Sequence, residues 1–119
     1  MITIDLSSLE LKTFTEQNVL DYCQLNNIDY NKITRLDLRN NKLTDISGIK
    51  LFKNLGYLDL SDNKLTDISI IKNFIKLEVL YIINLRLESN QIRHIKSLKG
   101  LWCLWCHKGF KDMSVLYKL

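Results

Sequence analysis

Between Ile33 and Phe74 the apolar residues of this chain fall into columns. Laying ITRLDLRNNKLTDISGIKLFKN over LGYLDLSDNKLTDISIIKNFIK pairs Ile33 with Leu55, 22 positions on. The same offset pairs Leu36, Leu38, Leu43, Ile46, Ile49 and Phe52 with Leu58, Leu60, Leu65, Ile68, Ile71 and Phe74. Asn41 falls on Asn63 and Asp45 on Asp67. Leu36 and Leu38 alternate with Arg35, Asp37 and Arg39, the period of a strand with one buried face. Asn41 follows where the chain must bend, and its amide can serve loop N–H and C=O groups that would otherwise be buried unpaired. The path to the next strand is too short for a long helix. TDIS therefore predicts a single tight turn, capped by Asp45 or Asp67.

A third unit opens at Leu77 with Leu80 and Ile82, but its asparagine, Asn90, comes 27 residues after Asn63. Two registers accommodate this. Ile83 to Leu87 are inserted after the strand, or the strand slides so that Ile82, Leu85 and Leu87 face inward; the match of LEVLYI to LGYLDL favours the insertion. The columns resume at Ile92, Ile95, Leu98 and Leu101. In the fourth unit LWCLWC is a degenerate strand, with Leu101, Leu104 and Cys106 inward and Cys103, Trp105 and His107 outward. FKDMSVL then follows LTDISII, placing Asp112 under Asp67 and Met113 under Ile68, one residue short at the turn and without the asparagine.

Upstream, TFTEQNVLDYCQLNNID predicts a short helix over about 15–25. Thr15 is its N-cap, and Phe14 and Val19 have hydrophobic-staple spacing. Val19, Leu20, Tyr22 and Cys23 would cover the first coil, with ITIDL as an edge strand.

The L-x-x-L-x-L-x-x-N-x-L pattern on a 22-residue period resembles the leucine-rich repeat. The likeness runs from 33 to 119, strongly to Ile82 and loosely beyond, and is nearest to short-repeat members of phosphatase-regulator and internalin type. It implies an α/β, right-handed solenoid with a parallel concave β-sheet, short 3₁₀ or extended convex segments and an N-terminal capping helix. The cap would span 1–32 and the units 33–54, 55–76, 77–100 (with the five-residue insertion) and 101–119. Asn41, Asn63 and Asn90 would form a structural asparagine column. Each coil exposes apolar faces until a neighbour stacks on it.

The resemblance implies recognition of a partner protein rather than catalysis. Side chains on the concave face are free of packing duties, and here they would be Arg35, Asp37 and Arg39; Tyr57, Asp59 and Ser61; Val79 and Tyr81; and Cys103, Trp105 and His107. Tyr57, Tyr81 and Trp105 make an aromatic track with arginine at one end, and these residue types are enriched at interface hot spots. The plainer reading is that they stabilise cross-strand pairs. The partner itself is unknown.

Composition narrows the field. At 119 residues, 46% hydrophobic and 25% charged, with no proline and four glycines, the chain reads as one globular domain without a linker. Its formal charge of +4 comes from scattered cations beside aspartates, which argues against nucleic acid and leaves a weak nucleic-acid binder as a further alternative. No apolar run reaches the roughly 18 residues of a membrane span. The N-terminus does not read as a secretory signal, and three cysteines, an odd number, point to a reducing, cytoplasmic setting. Richness in Ile, Asn and Lys suggests an AT-rich genome, of which giant DNA viruses are one source.

One stretch invites a different chemistry. Cys103-Leu-Trp-Cys106-His107 matches the haem attachment spacing C-x-x-C-H, and with His94 it supplies four N/S groups for zinc. A strand places residues three apart on opposite faces, so no metal and no cofactor is expected, and a small zinc or haem redox protein using Cys103, Cys106 and His107 is the alternative. His94 shares the column of Asp45 and Asp67 and should be exposed. Asp37 and Asp59, on adjacent strands between Arg35 and Arg39, read as a salt-bridged face, and no catalytic residue is assigned. The last unit ends at Leu116 and Leu119 with no polar cap. That predicts a homodimer through the C-terminal coil, with Trp102 and Trp105 in the contact, or a chain that is part of a longer protein.

Overall fold

The computed structural model describes residues 1–118; Leu119, placed above in the self-association patch, lies outside them. Five strands, β1 (Ile2–Asp5), β2 (Ile33–Asp37), β3 (Tyr57–Asp59), β4 (Val79–Tyr81) and β5 (Cys103–Trp105), form one sheet in sequence order. Every neighbouring pair is parallel. The return paths carry helix α1 (Glu16–Leu25), 3₁₀ turns at Ser47–Leu51, Ser69–Asn73, Ser89–Gln91 and Met113–Lys118, and the short helix α2 (Ile92–Lys96). Leu36, Leu58 and Leu80 stand in register on β2, β3 and β4 and are fully buried. Phe52 and Phe74 fill the return path from inside. Each such side chain, once sealed by the next coil, contributes about 1.5–3 kcal/mol, and no coil can bury its own.

The repeat begins earlier than Ile33. Ile4, Asp5 and Leu6 run beside Leu36, Asp37 and Leu38, and Thr13 bridges to Asp45, so residues 4–14 trace the same arc 32 positions upstream. IDLSSLELKTF over LDLRNNKLTDI carries this match, with Leu9 in the asparagine column. Helix α1 then replaces the 3₁₀ turn on the return path. Thr15 caps it, its hydroxyl accepting from Asn18 N–H (3.2 Å) while Asn18 Oδ1 accepts from Thr15 N–H (2.9 Å). Val19 and Cys23 are buried beneath it, whereas Leu20, expected on that face, is exposed. Gly48 lets the helix approach: a Cβ there would lie 2.2 Å from Thr15 O. The next repeat has Ile70 at the equivalent position, where no helix end crosses.

A left-handed residue turns the chain out of each strand: Ser8, Asn40, Asp62, Asn84 and Lys108 have φ between 54° and 59°. Four of the five carry short polar side chains, the non-glycine types that tolerate this conformation best. Just beyond lies the asparagine column. Asn41 Nδ2 donates to Leu6 O and Leu38 O (both 2.9 Å), and its Oδ1 accepts from Leu9 and Leu11 N–H (both 3.0 Å). Asn63 Nδ2 donates to Leu38 O and Leu60 O, and its Oδ1 accepts from Leu43 N–H, all at 3.0 Å.

The third unit departs from the expected five-residue insertion at 83–87. Asp62 and Asn84 both hold the left-handed position, Leu85 is buried in the asparagine column and Leu87 continues the column of Leu43 and Leu65. The period is still 22 there, and the two surplus residues of this unit lie after Leu87, on the return path that α2 occupies. Asn90 is exposed in the turn Ser89–Gln91 and is not part of the column. Gln91 reaches inward instead, its Oε1 accepting from Ile68 N–H at 2.9 Å. The longer side chain spans a distance that the displaced asparagine does not. His94 is likewise buried, not exposed, because α2 turns it toward the preceding turn.

Candidate functional site

The face of the sheet opposite the core carries two columns. Register aligns Arg35, Tyr57, Val79 and Cys103 in the first, and Asp5, Asp37, Asp59, Tyr81 and Trp105 in the second. The aromatic residues touch across them. The Tyr57 and Tyr81 ring centroids are 5.4 Å apart at an interplanar angle of 44°, a diagonal step from one column to the other. Tyr81 and Trp105 stack at 5.9 Å and 9°. Arg35 closes the other end, its Cζ 3.9 Å from the Tyr57 ring centroid. Trp105 Nε1 donates to Cys103 Sγ at 3.1 Å, which orients the indole on the strand. Each aromatic pair is worth about 0.5–1.5 kcal/mol beyond the area it buries, and an exposed cation–π contact about 0.5–1 kcal/mol. Burial, then Tyr81 and Asp59, push the Tyr57 phenol above its ordinary value against the pull of Arg35, so it stays protonated.

The aspartates of the second column do other work. The carboxylates of Asp5, Asp37 and Asp59 accept from the N–H two residues ahead, at Ser7 (3.0 Å), Arg39 (3.0 Å) and Ser61 (2.9 Å). Each closes the end of its strand. Asp59 and Ser61, expected among the partner-contacting residues, are both buried, with 4% exposure each. Ser61 Oγ accepts from Ile83 N–H at 2.9 Å and so ties β3 to the loop after β4. Burial raises the Asp59 carboxyl above its usual range, which the Ser61 contacts oppose in part. Asp37 is half-buried and lies 3.5 Å from the exposed Arg39 guanidinium. The accessible surface is therefore narrower than the expected set: Arg35, Arg39, Trp105 and His107 are exposed, and Tyr57, Tyr81, Val79 and Cys103 are half-buried.

The cysteines of the CxxCH stretch part company. Cys103 holds Trp105 on the outer face, while Cys106 packs against the core and burial raises its thiol. His94 belongs to the opposite side of the molecule, on α2. Among the described residues no three His, Cys, Asp or Glu side chains come together to hold a metal ion.

Residues 31–73 match the family model described as Leucine Rich repeats (2 copies). An internalin, InlF, from Listeria monocytogenes superposes on 71% of this chain with a TM-score of 0.64 and 27% sequence identity. Residues 31–73 are leucine-rich repeats, and the fold is a leucine-rich repeat solenoid. The columns of the parallel sheet, the 3₁₀ turns and the paired asparagines are those of a leucine-rich repeat solenoid, a domain that typically serves protein interaction and is usually non-catalytic. This repeat protein spans 25% of the internalin's length. A comparison with curated proteins gives no match.

The sequence missed three features of the site. The contact of Arg35 with Tyr57 was readable, because the two hold the same outward position of their strands, 22 residues apart. The strand-closing job of Asp5 and Asp59 was readable too, from D-x-S at each, a spacing that Asp67 and Asp112 use to open the 3₁₀ turns instead. The burial of Asp59 had no local signal, since it depends on what the adjoining coils lay over it.

Proposed function

We propose that this leucine-rich repeat domain is a non-catalytic module that binds a partner protein on the outer face of its sheet, along Arg35, Tyr57, Tyr81 and Trp105. The single observation carrying this reading is the continuous track of four touching side chains, one per strand from β2 to β5, ending in a tryptophan that stays 54% exposed. Cross-strand stacking accounts for the contacts, but it does not account for leaving the indole in water, where a partner would bury it with gain. The rigid, pre-stacked rings lose little conformational entropy on binding, which favours affinity. Asp37 beside Arg39 makes the face mixed in charge, which suits a protein surface better than a phosphate backbone. Three unpaired thiols, Cys23, Cys103 and Cys106, support a reducing, intracellular setting for the encounter.

The test is affinity capture with the parent protein and with a Tyr81→Ala/Trp105→Ala variant, followed by titration of the captured partner as a purified protein. Loss of two aromatic contacts should weaken binding by about 2–4 kcal/mol, or some 30- to 1000-fold in Kd. A variant with the parent's circular dichroism that binds the same partner equally well removes the outer face from the binding site.

A further inference from the structure

The two ends of the stack differ in charge, and each leaves apolar surface and a strand edge open. Residues 1–29 hold the carboxylates Asp5, Glu10, Glu16, Asp21 and Asp29 against one lysine, Lys12, with Lys42 and Lys50 of the next coil 3.7 Å from Glu10 and 3.2 Å from Glu16. Residues 93–117 hold Arg93, Lys96, Lys99, Lys108 and Lys111 against one carboxylate side chain, Asp112, with Lys111 paired to Glu88 of the coil before. The first coil is thus acidic and the last basic. Each end also has an open apolar hollow: about 610 Å³ beside Leu9, Leu11 and Tyr22, rimmed by Glu10, Asp21 and one cation, Lys12, and about 430 Å³ beside Leu98, Leu101 and Trp102, rimmed by Lys96. Eight large apolar side chains are left exposed among the described residues, and only Ile75 falls outside 1–25 and 102–117. Finally, β1 and β5 are the two edges of the sheet, each with one row of backbone N–H and C=O groups facing outward.

We infer that a second copy of this chain stacks head to tail, the acidic first coil of one molecule seating on the basic last coil of the next. Three physical arguments select this pairing. Placing β1 of one copy beside β5 of another continues the parallel sheet with the strand direction it already has. The same move brings Glu10 and Asp21, at the rim of one apolar patch, toward Lys96 at the rim of the other and the exposed Lys99 that follows it, and opposite charges there steer association and fix register. A symmetric tail-to-tail dimer, the geometry expected from the sequence, sets the basic coil against its own copy. It leaves the acidic end uncovered. The head-to-tail contact is heterologous and grows into open chains rather than closing at a dimer.

Sedimentation of the whole chain reads this directly. At low ionic strength the average mass should rise above the 14.0 kDa monomer and keep rising past the dimer with concentration. In about 1 M salt, where the screening length is about 3 Å, it should fall back toward the monomer. Glu10→Lys/Asp21→Lys and Lys96→Glu/Lys99→Glu alter only exposed side chains, so both variants should keep the parent's circular dichroism. Each alone should stay monomeric, and an equimolar mixture should associate because each supplies the face that complements the other. A parent protein that remains monomeric at millimolar concentration and low salt overturns the inference. So does a Glu10→Lys/Asp21→Lys variant that still dimerises like the parent, which would assign the contact to two C-terminal coils.

Discussion

Replacing Asn63 by leucine, the residue this chain itself carries in the same column at Leu85, isolates what the buried amide contributes. Asn63 Oδ1 accepts from Leu43 N–H and its Nδ2 donates to Leu60 O, both at 3.0 Å. Leu38 O is less dependent on it, because Asn41 Nδ2 also donates there at 2.9 Å. The substitution therefore strands one buried N–H and weakens one carbonyl. At about 1–3 kcal/mol for each stranded group the loss is about 2–5 kcal/mol, less the little that an added apolar side chain recovers. Asn41→Leu should cost less, because the Leu9 and Leu11 N–H groups that it serves are only part-buried at the open first coil, and water can replace the amide. Urea unfolding followed by far-UV circular dichroism measures both. With a slope of about 2 kcal/mol per molar for a domain of this size, Asn63→Leu should lower the midpoint by about 1–2 M. A shift under about 0.3 M, or a larger loss at Asn41 than at Asn63, refutes the claim that the amide satisfies the turn from inside.

Three further outcomes follow from the packing and hydrogen bonds of the fold. Gly48→Ala puts a Cβ 2.2 Å from Thr15 O and must push α1 off the stack, costing more than about 2 kcal/mol, while Gly56→Ala, whose Cβ meets nothing nearer than 3.8 Å, should be neutral or slightly stabilising by urea unfolding. His94 has a buried Nε2 without a hydrogen-bond partner among the described residues, and burial first, then Arg93, hold its pKa below 6.5, with Lys72 acting the same way and Asp67 against them. The unfolded chain then binds the proton more readily, so stability falls as pH drops through about 6.5; unfolding of His94→Leu from pH 8 to pH 5 should lack that part of the decline. Asp59 has a raised carboxyl pKa, so its ionised form is penalised in the fold and stability is lost as pH rises through that raised value; Asp59→Asn, which keeps the acceptor for Ser61 N–H, should be more stable than the parent at pH 7 and lose the advantage in acid.

The column spacing alone carried the architecture. A repeat of 22 with leucine or isoleucine at the first, fourth and sixth positions states which side chains share a face, because a strand has period two and a stacked coil must present the same face to its neighbour as the last one did. That logic placed Leu36, Leu38, Asn41 and their partners one coil on, and it separated Cys103 from Cys106 although the local motif suggested haem. It also reached the aromatic track, since outward positions are the complement of inward ones. Four matters lay beyond it. The arc of residues 4–14 was concealed by its 32-residue offset, which α1 imposes. The register of the third unit turned on Asn90, a residue of the right type in the wrong place, and only packing showed Leu85 in the column and Gln91 reaching Ile68 instead. Whether an outward side chain such as Asp59 stays in water, or a return-path residue such as His94 leaves it, is decided by groups brought over it from other coils. Faces follow from local period; burial and partners follow from neighbours more than twenty residues away, and no window along the chain contains both.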